Sequence, residues 1–239
     1  MSNNWMFAQG PLIIAHRGSH ENLAENTLAA FVQAVEEDAD GLELDVQFSA
    51  DKQIVIFHDH SLERLTGEKR KVSDLSLDEL KGIDLGDGLT IPTLDELLEM
   101  LGSATLYNIE LKNYHLWNHG LETAVADRVE SFNLENFVLI SSFNPLSVRR
   151  SRRVFSRSVP VALIREEGLS QYGYLLARGD ADHPHYRLVN ESYMRWCTKN
   201  GYRSHVWTVN EADEAQRLLR LGVHAIITDR PLLMRQVLG

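Results

Sequence analysis

Short apolar runs alternate with amphipathic segments along most of the chain. Eight runs of mainly aliphatic and β-branched residues predict strands, namely PLIIA, GLELDV, TLYNIEL, FVLISS, VPVALI, YRLV, SHVWTV and HAIIT. Helical spacing lies between most of them, as in ENTLAAFVQAVEE, TLDELLEML, LETAVADRVESF, ESYMRWCTKNG and EADEAQRLLRLG. Strands that alternate with helices in this number predict a (β/α)8 TIM barrel, and a doubly wound open sheet is the alternative.

One stretch departs from this alternation. From about residue 52 to residue 92, the segment KQIVIFHD predicts an additional strand and KVSDLSLDELKGIDLGDG predicts a turn-rich excursion. The sequence has no low-complexity tract and no Pro- or Ser-rich linker. We therefore predict one domain over residues 1–239, with a small insertion after the second strand that lies beside the functional site.

Two predicted strands carry acidic residues at alternate positions. In GLELDV, Glu43 and Asp45 share one face of the strand and the leucines occupy the other. In LYNIELK, the side chains of Asn108, Glu110 and Lys112 share a face in the same way. In a barrel both polar faces would point inward, so three carboxylates are expected to lie close together.

These three carboxylates suggest a metal site. Partly buried acids repel one another, and at least one would bind a proton unless a cation joins them. One divalent cation resolves this repulsion, and oxygen ligands without cysteine favour Mg²⁺ or Ca²⁺, with Mn²⁺ as a further option, over zinc. The alternative is that Glu43, Asp45 and Glu110 pair with Lys112, Arg17 or backbone amides.

The first predicted strand ends in two side chains that usually avoid protein interiors, His16 and Arg17. Strand ends form the C-terminal face of a barrel, where active sites of this fold lie. Gly18 permits a sharp turn at this point. The following ENT predicts a helix start with Asn26 or Thr27 as its cap, whose free amides add positive potential.

A second histidine, His58, closes the segment QIVIFHD. Together with His16 it suits general acid and base catalysis, because the unperturbed pKa of histidine lies near neutrality. For either histidine alone, a structural role is the alternative. The segment VWTVN places Trp207 where the barrel opens, so its ring is either part of the core or an apolar wall beside a charged pocket.

The other histidines allow one rival interpretation, an H-x-H zinc hydrolase. Its ligands would come from His58, His60, His183, His185 and Asp229. This interpretation leaves the acids of the second strand unexplained, and an H-x-H pair would be expected on the first strand. The remaining histidines are expected in loops or at the surface (His20, His115, His119, His224) or in a structural role (His205).

Composition limits the partners and the compartment. The net charge of −10 argues against non-specific binding to nucleic acid or to anionic membranes. The single cysteine, Cys197, excludes an internal disulfide and is expected to be a buried helical thiol. The N-terminus MSNNWMFAQG has the features of neither a signal peptide nor a membrane anchor, so we predict a cytoplasmic protein. The oligomeric state stays open.

Several segments in order along the chain resemble the glycerophosphodiester phosphodiesterases, especially their short cytoplasmic bacterial form. They are AHRG, ENTLAAF, DGLELDVQFSAD, IVIFHD, IPTLDELLEML, NIELK, SSFNP, HVWTVN and ITDRP. The chain departs from the family pattern in two places. Ala24 replaces a proline before ENT, and Leu65 stands where the family usually has threonine after the His-Asp pair.

The resemblance implies a TIM barrel with a small insertion after the second strand. It implies a divalent cation bound by Glu43, Asp45 and Glu110, and His16 and His58 as the acid and base. By the same resemblance, the residues that contact the phosphate or line the pocket are Arg17, Lys112 and Trp207. The implied substrate is a small glycerophosphodiester such as glycerophosphocholine or glycerophosphoethanolamine. Rival functions are a lysophospholipase D that uses the same site and a non-enzymatic barrel that binds a phosphorylated ligand.

Overall fold

The computed structural model describes residues 4–113, 117 and 119–238. In these residues nine strands form one sheet: β1 (Leu12–His16), β2 (Gly41–Phe48), β3 (Ile54–Ile56), β4 (Leu106–Leu111), β5 (Val138–Ser142), β6 (Val161–Arg165), β7 (Ala181–Pro184), β8 (Arg203–Val206) and β9 (Ala225–Thr228). All except β3 pair in parallel, and pairing of β1 with both β2 and β9 closes the barrel. The predicted TIM barrel is confirmed, and the open sheet is excluded.

Helices follow most of the strands. They are α1 (Asn4–Phe7), α2 (Leu28–Glu36), α3 (Glu63–Thr66), α4 (Leu77–Lys81), α5 (Leu94–Leu101), α6 (Leu121–Ser131), α7 (Pro145–Val154), α8 (Glu191–Lys199), α9 (Ala212–Leu221) and α10 (Pro231–Leu238). Thr27 caps α2 as expected, because its side chain accepts a hydrogen bond from the Ala30 amide. Cys197 is buried in α8, also as expected. Within the described residues, none of these helices is long and apolar enough to cross a membrane.

Successive side chains of each strand point alternately into the barrel and toward the helices, which gives two apolar layers. Ile14, Leu139 and Ala225 point into the barrel and pack with Trp5, whose indole donates to the Phe137 carbonyl. Leu42 belongs to the outer cluster, between the strands and the helices. Since successive side chains of a strand point to opposite faces, the acids of β2 face the interior.

The segment between β2 and β4 has an apolar cluster of its own. β3 pairs antiparallel with β2, and the residues around it fold through α3 and α4 before α5 rejoins the barrel. The side chains of this cluster are Val55, Phe57, Leu62, Val72, Leu75, Leu80, Ile83 and Ile91. Leu65 packs against them, so the departure from the family pattern at this position adds apolar contact within the segment.

The prediction of the sixth apolar run as a strand was wrong. The run YRLV lies in a 3₁₀ turn over Tyr186–Leu188, and the strand is the preceding β7, with the sequence ADHP. β7 contains few apolar side chains and therefore gives no hydrophobic signal. Its Asp182 is buried because Arg165 of the adjacent β6 donates to both of its carboxylate oxygens.

Candidate active site

The backbone turns sharply directly after β1. Arg17 has a φ of 57° and Gly18 a φ of 85°, both in the left-handed region. The Arg17 amide donates to the Glu43 carbonyl at 2.9 Å, which fixes the turn against β2. A Cβ atom on Gly18 would lie 2.6 Å from the Ala30 carbonyl carbon, so only glycine allows α2 to approach this closely.

Gly18→Ala is therefore expected to lower the free energy of unfolding by at least ~2 kcal/mol, through left-handed strain and overpacking against α2. Gly67→Ala is the matched control, because Gly67 has a φ of 76° and a Cβ atom added there would meet nothing within 4 Å. The control is expected to lose only about 1 kcal/mol. Urea unfolding of both variants measures the difference, and equal losses would contradict the close-approach argument.

Three carboxylates meet at the C-terminal end of β2 and β4. One oxygen each from Glu43, Asp45 and Glu110 lies within 4.8 Å of the others, and all three residues are buried. The strand register places Asp45 opposite Glu110, and Glu43 opposite Asn108. The alternation of the sequence thus brings together the predicted cluster.

Two cationic side chains compensate part of this negative charge. Lys112 Nζ lies 2.9 Å from Glu110 Oε1 and 3.4 Å from Asp45 Oδ1, and its side chain is 2% exposed. Arg17 Nε lies 3.2 Å from Asp45 Oδ2. The sequence left ion pairing open as the alternative to a metal site, and these contacts are such ion pairs. Two positive charges do not, however, neutralise three carboxylates.

The pKa values reflect this imbalance. Burial raises the pKa of Glu43, and the negative charges of Asp45 and Glu110 raise it further. Burial also raises the pKa of Glu110, although Lys112 opposes this shift. Burial alone would raise the pKa of Asp45 too, but Lys112 and Arg17 outweigh it and hold that pKa below its usual range. Without a further cation, burial and mutual repulsion therefore favour the protonated form of the two glutamates.

The donor set fits a hard divalent cation. All three candidate ligands are carboxylate oxygens, which Mg²⁺, Ca²⁺ and Mn²⁺ prefer. Asp45 Oδ1 is buried and accepts no hydrogen bond within the described part of the chain, although Lys112 lies near it. The Lys112 ammonium is shared with Glu110, so a divalent cation would complete the charge balance at this buried oxygen. The residues present can thus hold the cation that the sequence predicts.

Two histidines flank the carboxylates, and each is oriented by an acid. His16 Nδ1 donates to Asp229 Oδ1 at 2.7 Å, and His58 Nδ1 donates to Asp59 Oδ1 at 2.6 Å. The neutral form of each ring therefore has its acceptor nitrogen at Nε2, and His16 Nε2 lies 3.9 Å from Glu43 Oε2. Burial lowers the pKa of His58, while Asp45 partly opposes the shift.

The partner of His16 is held by several donors. Burial would raise the pKa of Asp229, but hydrogen bonds from His16 and His20 outweigh it and hold the pKa well below its usual range. Asn210 donates to the second Asp229 oxygen at 2.6 Å. His20, expected only as a loop or surface residue, is half-buried and lies 3.2 Å from Asp229. The segment ITDRP was the sequence signal for Asp229, yet it indicated no role in orienting His16.

The histidines of the zinc interpretation do not gather into one site. Within the described residues, the candidate metal groups are His16 with His20 and Asp229, and the three carboxylates. His183 instead contacts His205 through ring nitrogens 3.0 Å apart, and both rings are buried. Among the remaining histidines, His119 is exposed and His224 is half-buried, and His115 lies outside the described residues.

A pocket opens directly above these groups. Its lining includes His16, Arg17, Glu43, His58, Glu110 and Trp207 among the predicted residues, together with Asn108, Phe143, Ile164, Glu166, His183 and Ile227. Trp207 follows β8 and donates through Nε1 to the His183 carbonyl at 2.9 Å. Phe143 meets the Trp207 ring edge-on, with centroids 5.5 Å apart. The pocket therefore combines apolar side chains, among them Phe143 and Trp207, with charged ones.

A parallel barrel with such a pocket at the C-terminal ends of its strands has the architecture of a TIM-barrel enzyme. The sequence profile of the glycerophosphoryl diester phosphodiesterase family matches residues 16–233. A glycerophosphodiester phosphodiesterase of Caldanaerobacter subterraneus subsp. tengcongensis is 36% identical over 230 residues, which cover 92% of this chain and 94% of that protein.

Solved structures show the same similarity. A phosphodiesterase from Oleispira antarctica, in complex with the product sn-glycerol-3-phosphate, has a TM-score of 0.79 at 26% identity and covers 95% of this chain and 96% of its own. A glycerophosphodiester phosphodiesterase from Thermotoga maritima has a TM-score of 0.78 at 27% identity, with coverage of 96% and 99%. The chain belongs to the glycerophosphoryl diester phosphodiesterase family, and the predicted enzyme class is confirmed.

Proposed function

We propose that this phosphodiesterase hydrolyses small glycerophosphodiesters, such as glycerophosphocholine or glycerophosphoethanolamine, to glycerol 3-phosphate and the free alcohol. The observation that carries the proposal is the buried carboxylate cluster, whose Asp45 Oδ1 accepts no hydrogen bond in the described part of the chain. Two of its acids, Glu43 and Glu110, line the pocket together with the two acid-oriented histidines. The product bound to the Oleispira antarctica relative supports the glycerol phosphate half of the substrate. A cytoplasmic location and a single domain over residues 1–239 stay predictions from the sequence.

Glu43, Asp45 and Glu110 would hold one divalent cation, Mg²⁺ or Ca²⁺, with Mn²⁺ as a further option. When bound, such a cation polarises a phosphoryl oxygen and helps to orient the substrate. Arg17 and Lys112 would contact the remaining charge of the phosphate, and their contribution is largest where charge grows in the transition state. Trp207 and Phe143 would form the wall beside the glycerol backbone or the leaving alcohol.

The two histidines would move the protons of the reaction. One imidazole accepts the proton of the attacking oxygen as the new P–O bond forms. The bond from phosphorus to the alcohol oxygen breaks, and the other imidazole protonates that leaving oxygen. By the family resemblance, His16 is the base and His58 the acid. The attacking oxygen comes either from water or from the glycerol 2-hydroxyl, and a cyclic phosphate seen by phosphorus NMR would identify the second route.

Release of glycerol 3-phosphate from glycerophosphocholine tests the proposal directly. The enzyme is treated with EDTA, dialysed and assayed after addition of Mg²⁺, Ca²⁺, Mn²⁺ or Zn²⁺ separately. We expect chelation to remove activity and a hard cation to restore it, because the ligands are carboxylates. Full activity after chelation would contradict the metal assignment. Release from lysophosphatidylcholine but not from glycerophosphocholine would indicate the lysophospholipase D alternative.

A further inference from the structure

The segment between β2 and α5 reaches the site through one arginine. Arg64 lies in α3 and donates through Nε to Asp59 Oδ2 at 2.5 Å. Its terminal nitrogens donate to both oxygens of Glu25, at 2.6 and 3.1 Å. One guanidinium group therefore joins two carboxylates from separate parts of the chain, the loop before α2 and the end of the β3 segment.

Each of these carboxylates also binds a residue of the proposed catalytic machinery. The second oxygen of Asp59 accepts the hydrogen bond from His58. Glu25 Oε1 accepts a hydrogen bond from Arg17 at 2.9 Å, and Arg17 in turn lies against Asp45. A continuous set of contacts thus runs from His58 through Arg64 to Arg17.

We propose that Arg64 is a positioning residue, which orients His58 through Asp59 and Arg17 through Glu25. The proposal rests on the function proposed above for His58 and Arg17. Asp59 is 26% exposed, and its carboxylate could rotate toward water if His58 were its only strong partner. The planar guanidinium fixes both acids at once because its donors form a rigid fork, whereas a lysine ammonium is a single flexible point charge.

A surface ion pair is the simpler interpretation, since the Arg64 side chain is 46% exposed. Exposed pairs contribute little to stability. On this interpretation, loss of the pair would leave turnover unchanged. The two interpretations predict different effects on turnover when Arg64 is replaced. Arg70 provides a matched comparison, because it is 52% exposed and pairs with Glu68 and Glu79 of the same segment. Within the described residues neither of these acids is bonded to His58 or Arg17, whereas the two acids that Arg64 binds are.

We expect Arg64→Met to lower kcat/KM for glycerophosphocholine by roughly 10-fold, the lower end of the range for loss of a group that orients a metal ligand, because Arg64 acts through Asp59 and Glu25. Arg64→Lys is expected to recover only part of the loss, because one ammonium cannot serve both acids. Arg70→Met is expected to retain wild-type turnover. Thermal unfolding of all three variants establishes that each is folded at the assay temperature.

A double-mutant cycle separates positioning from a general structural effect. If Arg64 acts through Asp59 and Glu25, its replacement in an Asp59→Asn, Glu25→Gln background is expected to cost little further activity. An equal fold-loss in both backgrounds, or turnover of Arg64→Met within two-fold of wild type, would overturn the inference. His58→Ala and Arg17→Met are assayed in parallel. If they retain turnover the proposed roles fail, and if they lose it while Arg64→Met does not, only this inference fails.

Discussion

Replacement of His16 or of His58 by alanine is expected to lower kcat for glycerophosphocholine by about 10²-fold or more, the usual contribution of a proton-transfer group. Each ring is oriented by a carboxylate at Nδ1, so that Nε2 is left to exchange the proton. Both side chains are only partly buried, and alanine at either position is expected to leave the fold intact. Steady-state kinetics and thermal unfolding of the two variants measure the two effects separately.

His224→Gln is the control for the loss of a histidine outside the pocket. His224 Nδ1 accepts from the Ser204 amide, and a glutamine oxygen can accept in its place. We expect this variant to keep its turnover. Near-normal turnover of His16→Ala or His58→Ala would remove that histidine from its assigned role, even if the other variant is inactive.

The carboxylate cluster could be predicted because it depends on local geometry. Glu43 and Asp45 are two positions apart, and in any strand such residues share a face. Once eight strands are arranged as a barrel, the acids of adjacent strands must converge on the interior. The registers of β2 with β4, which place Asp45 beside Glu110, confirm this reasoning.

The partners of the catalytic candidates could not be predicted in the same way. His16 and Asp229 are 213 positions apart, and only closure of the barrel brings β1 beside β9. Arg64 and Glu25 meet because α3 folds back over the loop before α2, a path that hydrophobic periodicity does not encode. β7 was not predicted for a related reason. Its buried Asp182 is compensated by Arg165 on another strand, a contact that local sequence does not reveal.

Glu43→Gln is expected to remove cation-dependent activity and at the same time to stabilise the cation-free protein. Loss of a direct ligand should weaken cation binding by more than about 100-fold. Even residues that only hydrogen-bond to a ligand change metal affinity by about 10-fold to 100-fold. The amide keeps the shape of Glu43 and can still accept from the Arg17 amide, which lies 3.2 Å from Glu43 Oε2. It also removes an ionisable group that is buried beside two other acids, which relieves their repulsion.

The stability that Glu43→Gln gains over the cation-free wild type should increase as pH rises. Burial raises the pKa of Glu43 above its value of 4.5 in the unfolded chain, so the folded protein holds the proton more tightly. The resulting stability is complete below that unfolded value and is lost as pH rises through the folded pKa. We therefore expect the unfolding temperature of the EDTA-treated wild type to fall relative to that of Glu43→Gln as pH rises above the unfolded value of 4.5.

Cation binding should reverse the relative stability of the two proteins and make the wild type the more stable one. At a concentration 100 times the wild-type Kd, a bound cation stabilises the wild type by about 2.7 kcal/mol. A variant with 100-fold weaker affinity would gain only about 0.4 kcal/mol under the same conditions. Glu99→Gln, at an exposed position of α5, controls for the loss of one negative charge and should behave as the wild type does. Equal cation-induced rises in unfolding temperature for the wild type and Glu43→Gln would remove Glu43 from the ligand set, because a ligand cannot be lost without loss of binding.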